Sequence, residues 1–400
     1  MPKDQEIDSG FLPPAANAKA IALKFVLLIG IVSLFADMTY EGARSVTGPY
    51  LAVLGASGTA VGIVAGFGEL IGYGLRLVSG FISDRTGRYW AITITGYVVN
   101  MLAVPLLALA GSWQMAAVLM IAERAGKAIR NPPRDAMLSH ATQTMGRGWV
   151  FGLHEALDQI GAVFGPLVVT GVLYFNGSYR SSFAVLLVPA LLALAVLVGA
   201  RLLYPRPRDL ETILPEIEAE KYPGRFWLYI LAACLIGAGY VDFPLIAYHF
   251  EKSAIVSDHL IPVFYATAMG VDALAALVLG SLFDRKGIAV LILATVLAAL
   301  FAPLVFLADT YSALVGMALW GLGMGAQESI MRAVIVGMIP ANRRASAYGT
   351  FNASFGWFWF LGSALMGLLY DISVTAVILT SLALQLGSVP VLIWVRKTSP

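Results

Sequence analysis

Runs of about twenty apolar residues, each closed off by Gly, Pro or charged positions, follow one another along nearly the whole chain. A run of that length is what a helix needs to cross the hydrocarbon core of a bilayer, whereas barrel strands alternate over about ten residues. The pattern predicts twelve spans, at 21–40, 58–82, 90–110, 113–130, 150–174, 181–203, 226–249, 259–283, 288–308, 311–337, 346–369 and 373–395. The polar interruptions divide the chain into a tail over 1–18, a first six-helix bundle over 19–203, a linker over 204–224, a second six-helix bundle over 225–396 and a tail over 397–400. Within the linker, Leu210, Ile213, Leu214 and Ile217 fall at i, i+3, i+4 and i+7, the spacing of a short helix lying on a membrane surface, although Pro215 interrupts it. The expected fold class is an all-α membrane protein.

The pattern also repeats. The turn Gly80-Phe-Ile-Ser-Asp84-Arg85-Thr-Gly87-Arg88 separates the second and third runs, and Gly280-Ser-Leu-Phe-Asp284-Arg285-Lys-Gly287 returns 200 positions later. Arg134-Asp135, then Phe151-Gly152, is echoed by Arg332, then Tyr348-Gly349. Such a duplication predicts two pseudo-symmetric halves related by an axis along the membrane normal, with a substrate site between them at mid-depth.

Composition supports the membrane reading. Of 400 residues 59% are hydrophobic and 12% charged, against about 25% charged in soluble domains. A net charge of +2 gives no electrostatic footprint for nucleic acid, and the single cysteine, Cys234, excludes an intrachain disulfide. Cations concentrate in alternate loops: Arg85 and Arg88; Arg130, Arg134 and Arg147; Arg206, Arg208 and Lys221; Arg285 and Lys286; Arg343 and Arg344; then Arg396 and Lys397. Short loops rich in Lys and Arg stay in the cytoplasm, so both termini are expected there. The first residues carry acids and prolines, unlike the basic start of a cleaved signal.

The turn Gly80 to Arg88 resembles the signature G-x-x-x-D-R-x-G-R of the major facilitator superfamily of secondary transporters, and Gly280 to Gly287 resembles its weaker second copy. The resemblance covers about 20–400 and implies alternating-access transport without a cofactor. In the fifth span, Gly152, Gly161, Gly165 and Pro166 are similar to the motif of facilitator-type antiporters. That motif ends in Gly-Gly, where this chain has Leu167-Val-Val-Thr-Gly171. Physically, these glycines let the helix approach a neighbour closely, and Pro166 frees a carbonyl at a bend. The antiporters' fourth-span arginine, four residues before a glycine, is replaced by Ala122 before Gly126; Arg124 could substitute for it, or the proton-relay role that the resemblance assigns to that arginine could be absent. The stretch Glu123 to Asp135 is instead similar to a prokaryotic subgroup with a GKxxRxxPRD pattern, which implies no particular substrate.

Ionisable residues at membrane depth cost about 2.5–3.5 kcal/mol each, so each is a functional candidate. Near the outer end of the first span, Asp37 and Glu41 share a helix face with Arg44 and could carry a coupling proton, or Glu41 and Arg44 could form an interfacial ion pair. Glu69 and Arg76 share a face of the second span, either in the site or in a structural pair. His154, Glu155 and Asp158 lie within one and a half turns of the fifth span. They could exchange a proton, or join Arg130, Arg134 and Asp135 in a cytoplasmic gate. Their H-E-x-x-D spacing resembles the zinc-helix pattern H-E-x-x-H but ends in Asp, which speaks against a hydrolase.

The second half offers Tyr240, Asp242, Asp272, Gln327, Glu328, Asn352 and Trp357 for a proton and substrate cavity. The tryptophans of the eleventh span, Trp357 and Trp359, could stack a substrate or fill the core. The cytoplasmic gate is expected at Gly80, Asp84, Arg85, Gly87, Arg88, Arg130, Arg134, Asp135, Asp284, Arg285 and Arg332. In it Asp84 would meet the positive end of a helix from the other half. No Gly-rich phosphate loop is present, so energy is expected from an ion gradient. The reading is a monomeric, multi-pass transporter of the cell inner membrane exporting a small organic molecule against H+. The alternatives are an importer or facilitator for a metabolite, siderophore or metal chelate and, remotely, a membrane-embedded metalloenzyme or a receptor.

Overall fold

The computed structural model describes residues 15–145, 147–205, 222–307, 309–339 and 344–397. The expected surface helix at Leu210 to Ile217, most of the linker, the chain before residue 15 and the last three residues lie outside them. The described residues are helical, without strands, in fifteen α-helices. These are α1 (Ala15–Val53), α2 (Gly58–Thr86), α3 (Tyr89–Leu106), α4 (Trp113–Met145), α5 (Arg147–Asn176), α6 (Tyr179–Val185), α7 (Leu187–Leu203) and α8 (Gly224–Gly239). There follow α9 (Phe243–Ser253), α10 (Ile261–Lys286), α11 (Ile288–Ala299), α12 (Phe301–Phe306), α13 (Thr310–Met338), α14 (Arg344–Ile372) and α15 (Val374–Lys397). Taken singly or as continuous pairs, they give 10 segments long and apolar enough to cross a membrane. Helices α4 and α13 are as long but carry internal charge.

Three boundaries differ from the sequence expectation, each for a physical reason. The first span, expected to end at residue 40, continues to Val53, so Asp37 and Glu41 sit well inside a helix rather than near its outer end. The polar residues that seemed to close the run are satisfied in place: Ser45 and Thr47 donate to the carbonyls of Gly42 and Arg44. The fourth span, expected to stop at residue 130, runs through Pro132 and Pro133 to Met145. The Ile129 carbonyl, whose usual partner N–H Pro133 lacks, accepts instead from Ser79 Oγ at 2.5 Å. The seventh span is broken at Tyr240 to Asp242, where the backbone is extended and Asp242 caps α9 by accepting from the Phe243 N–H at 3.1 Å.

Helices α1 to α7 pack mainly on one another, as do α8 to α15, and the two sets meet through α1 with α9, α2 with α14 and α5 with α10. Small residues make the closest approaches. A methyl on Gly161 or Gly165 of α5 would strike the α1 carbonyls of Leu34 and Met38, and Gly58, Gly62 and Gly66 of α2 lie against Gly367, Ser363 and Phe360 of α14. The buried apolar side chains fall into two clusters. The larger joins Tyr50, Val61 and Phe183 of the first set to Phe243, Trp320 and Trp359 of the second. The smaller, with Phe25, Ile29, Trp90, Tyr97 and Leu197, belongs to the first set alone, near the Gly87 end. The two sets thus share one core near Gly55 and part toward Gly87. Outward-facing Phe175, Leu202, Leu277 and Val278 are exposed, as lipid-facing side chains are.

Candidate functional site

Between the two sets lies a cavity of about 760 Å3. It extends from Glu41, Arg44 and Tyr265 at mid-helix to Arg134, Asp135 and Arg332 toward the Gly87 end. A smaller side pocket of about 160 Å3 continues past Glu69 and Tyr73 to Asn352, Phe355 and Trp359. Charge reaches this depth because helix α4 presents Arg124, Lys127, Arg130 and Arg134 at spacings of three, three and four, one stripe on one face.

Most of these charges are paired. Arg44 Nη2 lies 2.9 Å from Asp242 Oδ1 and 3.5 Å from Glu69 Oε1, bridging α1, α2 and the break before α9. Asp242 also accepts from Trp359 Nε1 at 3.2 Å. Arg124 completes the group at 3.2 Å from Glu69 and 3.6 Å from Glu123, whose carboxylate accepts from Asn100 Nδ2 at 2.8 Å. Deeper in the first set Arg130, fully buried, lies 3.6 Å from Asp37 with its guanidinium 4.2 Å from the centroid of the Tyr97 ring. Arg134 pairs with Asp135 at 2.8 Å and donates to Ser33. His154 Nδ1 stands 3.6 Å from Asp158 Oδ1, and neither ring nitrogen has a hydrogen-bond partner. Tyr265 donates to Glu41 across the two sets.

Seven cavity charges have no opposite charge within ion-pair distance among the described residues. Three are cations: Lys127, which donates only to Tyr40 and sits over its ring, Arg76, over the Tyr73 ring, and Arg332. Four are carboxylates: Glu155, Glu328, Glu41, which accepts from Tyr265, and Asp272, the last 2% exposed with Oδ1 unpartnered. Glu41 and Asp272 are buried, where an isolated charge is costly, Lys127 and Arg76 are half-buried, and Glu155, Glu328 and Arg332 are exposed; these are the groups left for a ligand to satisfy.

The end near Gly55 is closed by hydrogen bonds between the sets. Asp371, at the end of α14, accepts from the N–H groups of Gly58 and Thr59, both at 2.8 Å, and from Thr59 Oγ1 at 2.6 Å, capping α2 from the other set. Tyr248 donates to the Ala56 carbonyl at 3.0 Å and Tyr179 donates to Glu251 at 2.5 Å, while within the second set His249 meets Tyr370 at 3.0 Å.

Of the residues singled out in the sequence, the cavity and its side pocket gather Asp37, Glu41, Arg44, Glu69, His154, Glu155, Asp158, Asp272, Gln327, Glu328, Arg332 and Asn352, while Asp242 lines a small separate pocket and is tied to the cavity through Arg44. Tyr240 is elsewhere: fully buried, it donates to the Trp320 carbonyl inside the core. Trp357 is half exposed on the outer surface, and Trp359 is the tryptophan at the pocket. Arg134 and Asp135 belong to the wall of the cavity on α4 and Arg130 is fully buried on the same helix, none of them in a loop. Gly80 packs by Pro132, and Gly87 ends α2 at φ 65°, a left-handed conformation that suits glycine.

Asp84, Arg85 and Arg88 are exposed, and Asp84 accepts from neighbouring Tyr89 at 3.1 Å. Asp284 and Arg285 are exposed at the end of α10. Gly152 faces open space, unlike Gly161 and Gly165, and Pro166 lies inside α5. Lys127, Tyr40 and Tyr265 were not singled out as site residues, and Arg124 only as a stand-in for the antiporters' arginine, although the basic spacing on α4 would have marked the two cations. Among the described residues no three His, Cys, Asp or Glu side chains converge as a metal set.

The sequence profile of the Major Facilitator Superfamily matches residues 27–307 and 241–400. The chain belongs to the Major Facilitator Superfamily. An uncharacterised protein of Mycobacterium tuberculosis is 43% identical over 385 residues, covering 94% of this chain and 93% of its own length. An uncharacterised MFS-type transporter of Methanocaldococcus jannaschii is 25% identical over 363 residues, covering 88% and 89%. The crystal structure of the nucleoside transporter NupG superposes with a TM-score of 0.70 at 13% identity, covering 93% of this chain and 98% of that one, a likeness of fold. Family and fold indicate a multi-pass membrane transporter rather than an enzyme, and place the cavity between the halves of a Major Facilitator Superfamily protein.

Proposed function

We propose that the chain is a twelve-helix secondary active transporter of the cell inner membrane, with both termini in the cytoplasm, that exports a small charge-bearing organic molecule in exchange for protons. The observation that carries this reading is the cavity itself: it lies between the halves, reaches toward the Gly87 end, is closed at the Gly55 end and holds seven charges without ionic partners. The cations of the turn at Arg85 and Arg88 assign the Gly87 end to the cytoplasm, so the conformation is inward-facing.

Roles divide by chemistry. Asp37 beside Arg130, and Asp158 beside His154, are carboxylates that can take up or release a proton next to a group whose charge favours one of the two states, the arrangement a proton carrier uses. Lys127 and Arg76 of the first set, with Asp272, Glu328 and Arg332 of the second, hold the polar groups of the substrate. Outward opening would break the Asp371 cap and the Tyr179 to Glu251 bond and close the Gly87 end, so protons and substrate exchange across one cavity. The glycines and Pro166 of α5, similar to the antiporter motif, favour export.

The test is transport by proteoliposomes under an imposed pH gradient. Coupled flux that is lost in Asp37→Asn supports the assignment, whereas unchanged coupling in Asp37→Asn and Glu41→Gln together removes these carboxylates from the mechanism. Accumulation in right-side-out vesicles would select uptake instead.

A further inference from the structure

Another cavity, of about 370 Å3 and sharing no lining residue with the first, lies where α8 and α11 begin and α10, α13 and α15 end. Its rim carries three cations, Arg225, Lys286 and Arg396, and no carboxylate among its described lining residues. Its floor is apolar, with Phe283, Ile288, Val334 and Met338. Gly287 and Gly337 open it further, since a methyl on either would meet nothing within 4 Å. Lys286 and Arg396 lie in the last turns of α10 and α15, so part of their role is to face the negative ends of those helices. Arg225 reaches the Met338 carbonyl at 3.5 Å. These contacts account for single cations at helix ends, but not for three of them around one apolar-floored recess.

The depth of the recess is marked independently. Trp227, two residues from Arg225, and Trp394, two residues from Arg396, are both half exposed on the outer surface, as tryptophans at the headgroup level of a bilayer are. Below them the outer faces of α10 and α11 are apolar, with exposed Leu274, Leu277, Val278 and Leu293. The recess therefore sits where phosphate groups end and acyl chains begin.

We propose that this recess binds the headgroup of an anionic phospholipid, its phosphate among Arg225, Lys286 and Arg396 and the start of an acyl chain on Phe283, Ile288 and Val334. The required chemistry is an anion joined to an apolar tail, which a soluble phosphate lacks. A volume of about 370 Å3 lies within the range of about 300–1,000 Å3 typical of small-ligand sites. Helices α10 and α13 carry Asp272, Glu328 and Arg332 of the central cavity, so the bound lipid rests on helices that line the transport site.

The experiment is native mass spectrometry of the full chain released from mixed micelles containing phosphatidylglycerol and phosphatidylcholine, with inorganic phosphate added in a separate arm. The expected result is a phosphatidylglycerol adduct in excess over phosphatidylcholine that inorganic phosphate does not displace. That excess falls roughly fivefold in Lys286→Gln, and about a hundredfold when Arg225→Gln and Arg396→Gln are added, since each cation contributes independently to anionic-lipid attraction. Lys286 is exposed, so the single variant keeps the test valid if the triple variant unfolds. Equal adducts of the two lipids, or an excess that survives Lys286→Gln undiminished, overturn the proposal. Displacement by inorganic phosphate overturns the lipid and assigns the recess to a soluble anion.

Discussion

Removing the Asp371 carboxylate should unlatch the closed end of the molecule. In Asp371→Ala the first turn of α2 loses three hydrogen bonds, from the Gly58 and Thr59 N–H groups at 2.8 Å and from Thr59 Oγ1 at 2.6 Å. A cap of this kind contributes about 1–2 kcal/mol, and a carboxylate at a helix N-terminus a few tenths more. Because Asp371 is exposed, its bonds compete with water, and about 1.5 kcal/mol is the reasonable net. Asp371 joins α14 to α2 only while the Gly55 end is closed, so this energy bears on the conformational equilibrium. It shifts that equilibrium about tenfold toward the outward-open form.

The assay is double electron–electron resonance between spin labels at Leu109→Cys and Tyr311→Cys, exposed positions on the two halves at that end, in a Cys234→Ala background. The longer-distance population should rise about tenfold in Asp371→Ala, and less in Thr59→Val, which loses one bond of the three. Identical distance distributions in wild type and Asp371→Ala would refute the reasoning.

Three further outcomes follow from the same structure. Asp272→Asn and Lys127→Gln should each leave the ligand-free protein as stable as wild type or more so, because each removes a charge without an ionic partner, while lowering transport at least tenfold; a drop in unfolding temperature with transport intact would make these residues structural. Gly161→Val should destabilise the protein by about 3 kcal/mol or more in thermal unfolding, since its side chain would be driven into the Leu34 carbonyl, whereas Gly152→Ala, which meets open space inside α5, should be neutral or stabilise by up to about 1 kcal/mol. Ser79→Ala should cost about 1–3 kcal/mol by leaving the Ile129 carbonyl unsatisfied beside Pro133, again read by thermal unfolding.

Helices that meet lipid over most of their length were legible from the chain. The run expected at 58–82 is α2, Gly58–Thr86, and the run at 373–395 is α15, Val374–Lys397, because an unbroken apolar stretch has one low-energy solution in hydrocarbon. Where charges point inward the local pattern misplaced the ends, as it did for α1 and α4: a run of amino acids does not reveal whether Arg130 faces water or the Tyr97 ring. The break at Tyr240 to Asp242 was hidden for the same reason. Its freed carbonyls are satisfied from far along the chain, Val241 by Trp320 Nε1 at 3.0 Å and Gly239 by Ser381 Oγ at 2.7 Å and Gln385 Nε2 at 3.3 Å. The site followed the same rule. Charges within apolar runs announced themselves by their cost, but which of them pair, as Arg44 and Asp242 do 198 positions apart, is a property of packing. Tyr40 and Tyr265 carried no such signal, since a tyrosine in a membrane helix is ordinary until a carboxylate or ammonium group is placed against it.

The central claim, one charged cavity presented alternately to the two sides of the membrane, is tested most directly at Ser329, which lines the cavity on α13. In a Cys234→Ala background, Ser329→Cys in sealed vesicles of each orientation is exposed to a membrane-impermeant maleimide while the pH gradient is imposed in one direction and then reversed. The account predicts labelling from the Arg85 face at rest and from both faces when the carrier cycles, with the ratio changing as the gradient is reversed. Labelling from one face alone, whatever the gradient, would contradict it.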